Sequence, residues 1–172
     1  PVFGLGGILF PLLARAFGLI ATIVGVFTVR CREDEDPMRA LNRGYLATTV
    51  LAMLGFAAAV YMLLKPVAGF TGEVRQGYLL LAGIIGILTA FAFVLITQYY
   101  TEYRFRPVRS IAEASITGPA TNIISGLAVG FECTGLPVLT VSAALMGSYW
   151  CGKMALGSMP GSGLYGTAIA TM

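Results

Sequence analysis

Apolar residues in this chain come in runs of about twenty, broken by short polar stretches, with no strand-like alternation over any useful length. The first run is ILFPLLARAFGLIATIVGVFTV (8–29), the second GYLATTVLAMLGFAAAVYMLL (44–64) and the third YLLLAGIIGILTAFAFVLIT (78–97). A fourth lies within 120–150, and 164–172 reads as the start of a fifth. Runs of this length match the hydrocarbon thickness of a bilayer, where a helix satisfies its own backbone and an open sheet does not. The pattern predicts an all-α, polytopic integral membrane bundle of four transmembrane helices plus the beginning of another, as a single region over 1–172.

The fourth run is too long for one span. As one helix, 120–150 extends about 45 Å against about 30 Å of hydrocarbon. Counted back from Trp150, the core is used up near Gly130, so 120–129 is expected to project beyond the membrane and Glu132 to fall near its boundary. Pro107 and Pro119 flank VRSIAEASITG, which reads as a short helix outside the bilayer. The last run, GLYGTAIATM (163–172), stops after ten residues, as expected of a piece of a longer protein.

Composition sharpens this. Of 172 residues, 57% are hydrophobic and only 11% charged, where a soluble domain carries about a quarter charged. A net charge of +3, spread thinly, does not suit a nucleic-acid binder. Histidine is absent, and Cys31, Cys133 and Cys151 are far apart and odd in number, which argues against zinc and against a disulfide framework.

Basic residues set the orientation. Arg30, Arg32, Arg39 and Arg43 in loop 30–43, with Arg104, Arg106 and Arg109 in loop 98–119, make seven on one side; Lys65, Arg75 and Lys153 make three on the other. The positive-inside rule predicts that loops 30–43 and 98–119 are cytoplasmic. A bacterial-type inner membrane is the expected setting.

Few residues look chemical. GSYWCGKM (147–154) mimics a phosphate loop, but Met154 replaces the hydroxyl, and the run before it is helical where a strand is required. The acids Glu33 to Asp36 in CREDEDPM (31–38) read as a solvated charge run rather than a metal site. Arg15 falls about 10 Å inside the first span, where it is a functional candidate or a snorkelling side chain. Gly126 and Gly130 form a G-x-x-x-G pair, and Gly83 and Gly86 lie three apart; both read as helix-packing positions, within one chain or between two. Thr121 and Asn122 are candidates to cap a helix or bond a neighbour. Arg15, Gly126, Gly130 and Glu132 are thus structural or interface candidates, with no catalytic, substrate-binding or metal residue among them. On physics alone a transporter, an ion pump and a scaffold subunit all fit.

ITQYYTEYRFRPVRSIAEASITGPATNIISGLAVGFECTGLPVL (96–139) resembles the membrane-bound, ion-translocating inorganic pyrophosphatases. Their pattern runs T-E-Y-Y-T, then R/S-P-V, a short helix, and T-G-x-A-T-N-I-I-x-G-L-A; Tyr99, Tyr100, Thr101, Arg106, Pro107, Val108, Thr117, Gly118, Ala120 to Ile124 and Gly126 to Ala128 match it. The flanks FPLL (10–13) and LYGTAIATM (164–172) agree weakly, so the likeness extends over essentially the whole chain. It implies a homodimeric pump with two concentric helix rings, hydrolysing pyrophosphate at the cytoplasmic face and exporting H⁺ or Na⁺. It also implies Mg²⁺, held by aspartate motifs outside this chain, and leaves K⁺ dependence and the choice of ion open. The segment would then be four consecutive outer-ring helices and the start of the next, inactive alone. Gln98 stands where the family usually has Glu, with Glu102 one turn later as a substitute. A secondary-transporter piece or a non-catalytic scaffold subunit is the alternative.

Overall fold

The computed structural model describes residues 3–29, 37–64, 75–157 and 159–172. Arg30, Cys31, Arg32, the acids Glu33 to Asp36 and Lys65 lie outside the described residues. Every regular element described is a helix: α1 (Gly4–Thr28), α2 (Pro37–Leu63), α3 (Gln76–Thr101), α4 (Arg106–Thr117), α5 (Pro119–Glu132), α6 (Gly135–Leu156) and α7 (Ser162–Thr171). Four stretches are long and apolar enough to cross a membrane: Gly4–Thr28, Pro37–Leu63, Gln76–Thr117 and Pro119–Leu156. The fold is all-α, with α7 as a partial fifth helix.

Two helix limits differ from the apolar runs for identifiable reasons. Helix α2 starts at Pro37, seven positions before the run at 44–64, because a proline at the first helical position loses only an amide that has no partner there. Hydropathy marks where a helix is oily, not where its backbone starts. The stretch 120–150, read from sequence as one rod, is two helices joined through Cys133 and Thr134, and the second continues to Leu156. Pro137 is the cause. It has no N–H for the carbonyl of Cys133 four residues earlier, and its ring crowds that carbonyl. At the joint the Thr134 hydroxyl donates to Phe131 O (2.8 Å) and the Cys133 thiol to Gly130 O (3.1 Å), satisfying two of the freed acceptors.

The chain divides into two compact units, 1–88 with 145–172, and 89–144. In the first, Phe10, Ala59, Val60, Leu64, Leu79, Ala82, Ala155, Leu156 and Ile169 form the core. Five helix ends meet there. Gln76 Nε2 donates to Leu64 O (2.7 Å), one residue past the end of α2, and the Arg75 amide donates to Ala155 O (3.0 Å) near the end of α6. Phe3, before α1, stacks on Tyr165 of α7 with ring centroids 5.7 Å apart. Small residues set the spacing: a Cβ on Gly152 of α6 would lie 2.8 Å from the Cα of Gly166 of α7. The ladder Ser148, Gly152, Gly166 therefore brings two backbones together as lipid-solvated helices require.

Outside this core the large apolar side chains point outward. Leu5, Phe27 and Phe131 are each 70% or more exposed. Such a surface is unstable in water and is ordinary where lipid replaces water.

Candidate functional site

The charged connector after α3 belongs to the second unit, and its turn 102–105 is built around one buried acid. Tyr99 and Tyr100 meet edge to face at 5.1 Å, and Tyr99 tilts against Phe105 at 5.3 Å, so the last turn of α3 and the first residue before α4 share an aromatic cluster. Beside it the Glu102 side chain is 5% exposed. Arg104 Nε lies 2.9 Å from Glu102 Oε1, close enough to neutralise it, but without an N–H aligned for a hydrogen bond. The guanidinium also lies over the Phe105 ring, 5.9 Å from its centroid. Pro107 is buried and supplies the preset φ that starts α4.

Helices α4 and α5 meet at Gly118, whose φ of +134° and ψ of +169° are open to glycine alone in practice. The Thr121 hydroxyl donates to Gly118 O (2.8 Å) and lies 2.6 Å from the Thr117 hydroxyl. These hydroxyls bond carbonyls of the turn; they do not cap the free amides of α5, which has no side-chain cap. Asn122 Oδ1 is buried with no partner among the described residues. Arg104, Arg106 and Arg109 are exposed, so the connector presents positive charge.

The candidates taken from sequence separate. Glu132 is exposed at the end of α5, within electrostatic reach of Tyr100 in the last turn of α3. Gly126 and Gly130 have nothing within 4 Å of where a Cβ would stand, so that pair packs against nothing in the described chain. Gly86, by contrast, lies against the Ala170 carbonyl of α7, and Gly83 against the ring of Phe56. Arg15 is exposed on α1 in the first unit. Glu102 was recognised in sequence only as a stand-in for Gln98. Its amide bonds Gln98 O (2.9 Å), so the two do lie one helical turn apart. Nothing in the string of charges around it signals burial.

Among the described residues no group of three or more His, Cys, Asp or Glu is placed to hold a metal ion.

The family described as inorganic H⁺ pyrophosphatase matches residues 2–172. A "K(+)-insensitive pyrophosphate-energized proton pump 2" of Moorella thermoacetica is 57% identical over 173 residues, which is 100% of this chain and 24% of the relative. A "Pyrophosphate-energized membrane proton pump 3" of Arabidopsis thaliana is 39% identical over 180 residues, 97% of this chain and 22% of its own. A "Pyrophosphate-energized proton pump 2" of Mycoplana dimorpha is 38% identical over 166 residues, 94% of this chain and 74% of the relative. The chain thus spans about a quarter of the first of these. With the match running over nearly its whole length, the chain belongs to the inorganic H⁺ pyrophosphatase family.

Proposed function

We propose that this chain is an outer-ring membrane portion of a pyrophosphate-energised proton pump, one that hydrolyses pyrophosphate at the cytoplasmic face and exports H⁺ without need of K⁺. The family match across residues 2–172 carries the reading, and a 57% identical relative named as a K⁺-insensitive proton pump supports the choice of ion. In this reading loops 30–43 and 98–119 face the cytoplasm, on the strength of their seven basic residues against three opposite. Mg²⁺ and the hydrolytic carboxylates belong to other parts of the protein, and a second copy completes a homodimer. The chain's own contribution is mechanical and electrostatic. Helices α1, α2, α3 and α6 brace the catalytic helices, and the connector around Glu102 holds Arg104, Arg106 and Arg109 at the face where a polyanion arrives.

Inside-out vesicles carrying the full-length protein test this. Pyrophosphate with Mg²⁺ is expected to acidify the lumen at the same rate with and without K⁺. Hydrolysis without acidification, or transport that depends on Na⁺, overturns the ion assignment; absence of hydrolysis overturns the reading as a whole.

A further inference from the structure

The first unit contains a cavity of about 340 Å³ where the N-terminal end of α1, the C-terminal end of α6 and the start of α7 converge. Its walls are Phe3, Gly7, Leu156, Met159 and Tyr165, with Ile8 at the mouth. Phe3 and Leu156 are each 8% exposed, whereas Ile8 is 71% exposed, so the pocket has a packed apolar floor and opens outward between helices. That volume is at the small end of ligand pockets, about 300–1,000 Å³.

The surroundings of the pocket are positively charged. Lys153 is exposed in the last turn of α6, three positions before Leu156 and so on an adjoining face. Arg75, also exposed, is fixed beside the same helix end by the hydrogen bond its backbone N–H donates to Ala155 O (3.0 Å). The described residues of this unit include no Asp or Glu, and the loops on this side carry three basic residues against the single acid Glu73. Trp150 and Tyr149, one to two turns back along α6, mark the interfacial zone of the membrane. Lys153 Nζ lies over the Tyr149 ring (5.5 Å) and the Arg75 guanidinium over the Tyr78 ring (5.6 Å), so both cations are held on aromatic faces close to this helix end. An oily cavity opening at headgroup depth, with two exposed cations nearby and no described acid in the unit, suits an amphiphile with an anionic head.

We infer that this pocket is a binding site for an anionic phospholipid, with one acyl chain entering past Ile8 and the phosphate drawn to Lys153 and Arg75. The inference needs only that these helices cross a membrane and stands whether or not the pump reading holds.

Two photoreactive lipids with a diazirine on the acyl chain test it, a phosphatidylglycerol and a phosphatidylcholine, each in vesicles carrying the full-length protein. The phosphatidylglycerol probe is expected to label peptides spanning 3–8 and 156–165 several-fold more than the phosphatidylcholine probe does. Ile8→Trp, which fills the mouth, should reduce that labelling several-fold. Lys153→Gln, which removes the charge at an exposed position, should narrow the difference between the probes. Labelling spread evenly along the lipid-facing helices, absent from these peptides because another part of the protein fills the pocket, equal for both lipids, or unchanged by Ile8→Trp overturns the inference.

Discussion

Glu102 is nearly enclosed, and its nearest cation, Arg104, is close to half exposed. A carboxylate in that position is costly unless its charge is met, whereas a neutral amide of the same shape is much less so. Arg104→Ala should therefore destabilise the full-length protein by about 2 kcal/mol, and adding Glu102→Gln should recover part of that loss. Thermal unfolding of the two single variants and the double variant measures the coupling; strictly additive effects would mean that the pair does not interact. Such a role could not be read in the string TEYRFR, where acid and bases look equally solvated. Tyr99 and Phe105 meet across the turn that holds Glu102, and ring contacts between the end of one helix and the start of the next leave no periodic trace. The glycines make the same point. Gly83 and Gly86 meet a ring and a carbonyl while Gly126 and Gly130 face open space, although both pairs read alike as packing motifs.

Among the helices, lipid makes some features legible and hides others. The oily centres of α1 and α3 were plain because a bilayer demands about twenty apolar residues and leaves few other arrangements. Helix limits were not, since Met38 to Arg43 are as helical as the oily residues that follow them in α2. The joint between α5 and α6 has a visible signal in Pro137, but the apolar residues on either side of Glu132 to Gly135 read together as one run. Replacing the proline tests that explanation. In Pro137→Ala the new amide at position 137 is expected to donate to Cys133 O and to become protected from hydrogen exchange, with the two helices fused into one. An amide there that exchanges as fast as free peptide would show that Thr134 and Gly135, and not the proline, set the break. The joint falls where the sequence had placed the edge of the membrane, near Gly130 to Glu132, so the change of helix coincides with the expected change of solvent.

Taken whole, the molecule carries its charge unevenly, and that has a kinetic effect. Exposed Arg106 and Arg109 lie in the same connector, and their field adds to that of the cytoplasmic loops in the proposed orientation. Neutralising both as Arg106→Gln with Arg109→Gln should raise the Michaelis constant for pyrophosphate several-fold at low salt, with little effect on turnover. The difference should fade at high ionic strength as the field is screened. An unchanged constant at low salt would remove these arginines from substrate capture. The outward-facing hydrocarbon has a thermal consequence as well. In a water-soluble domain, melting wets apolar surface that was dry, and the resulting jump in heat capacity bends the stability curve so that cold as well as heat unfolds the chain. Here Leu5, Phe27 and Phe131 already touch the surrounding solvent in the folded state, and in a bilayer or micelle that solvent is oil before and after. Little is newly wetted, so the curve is expected to be shallow, and chilling should threaten this protein far less than it would a soluble one of equal size.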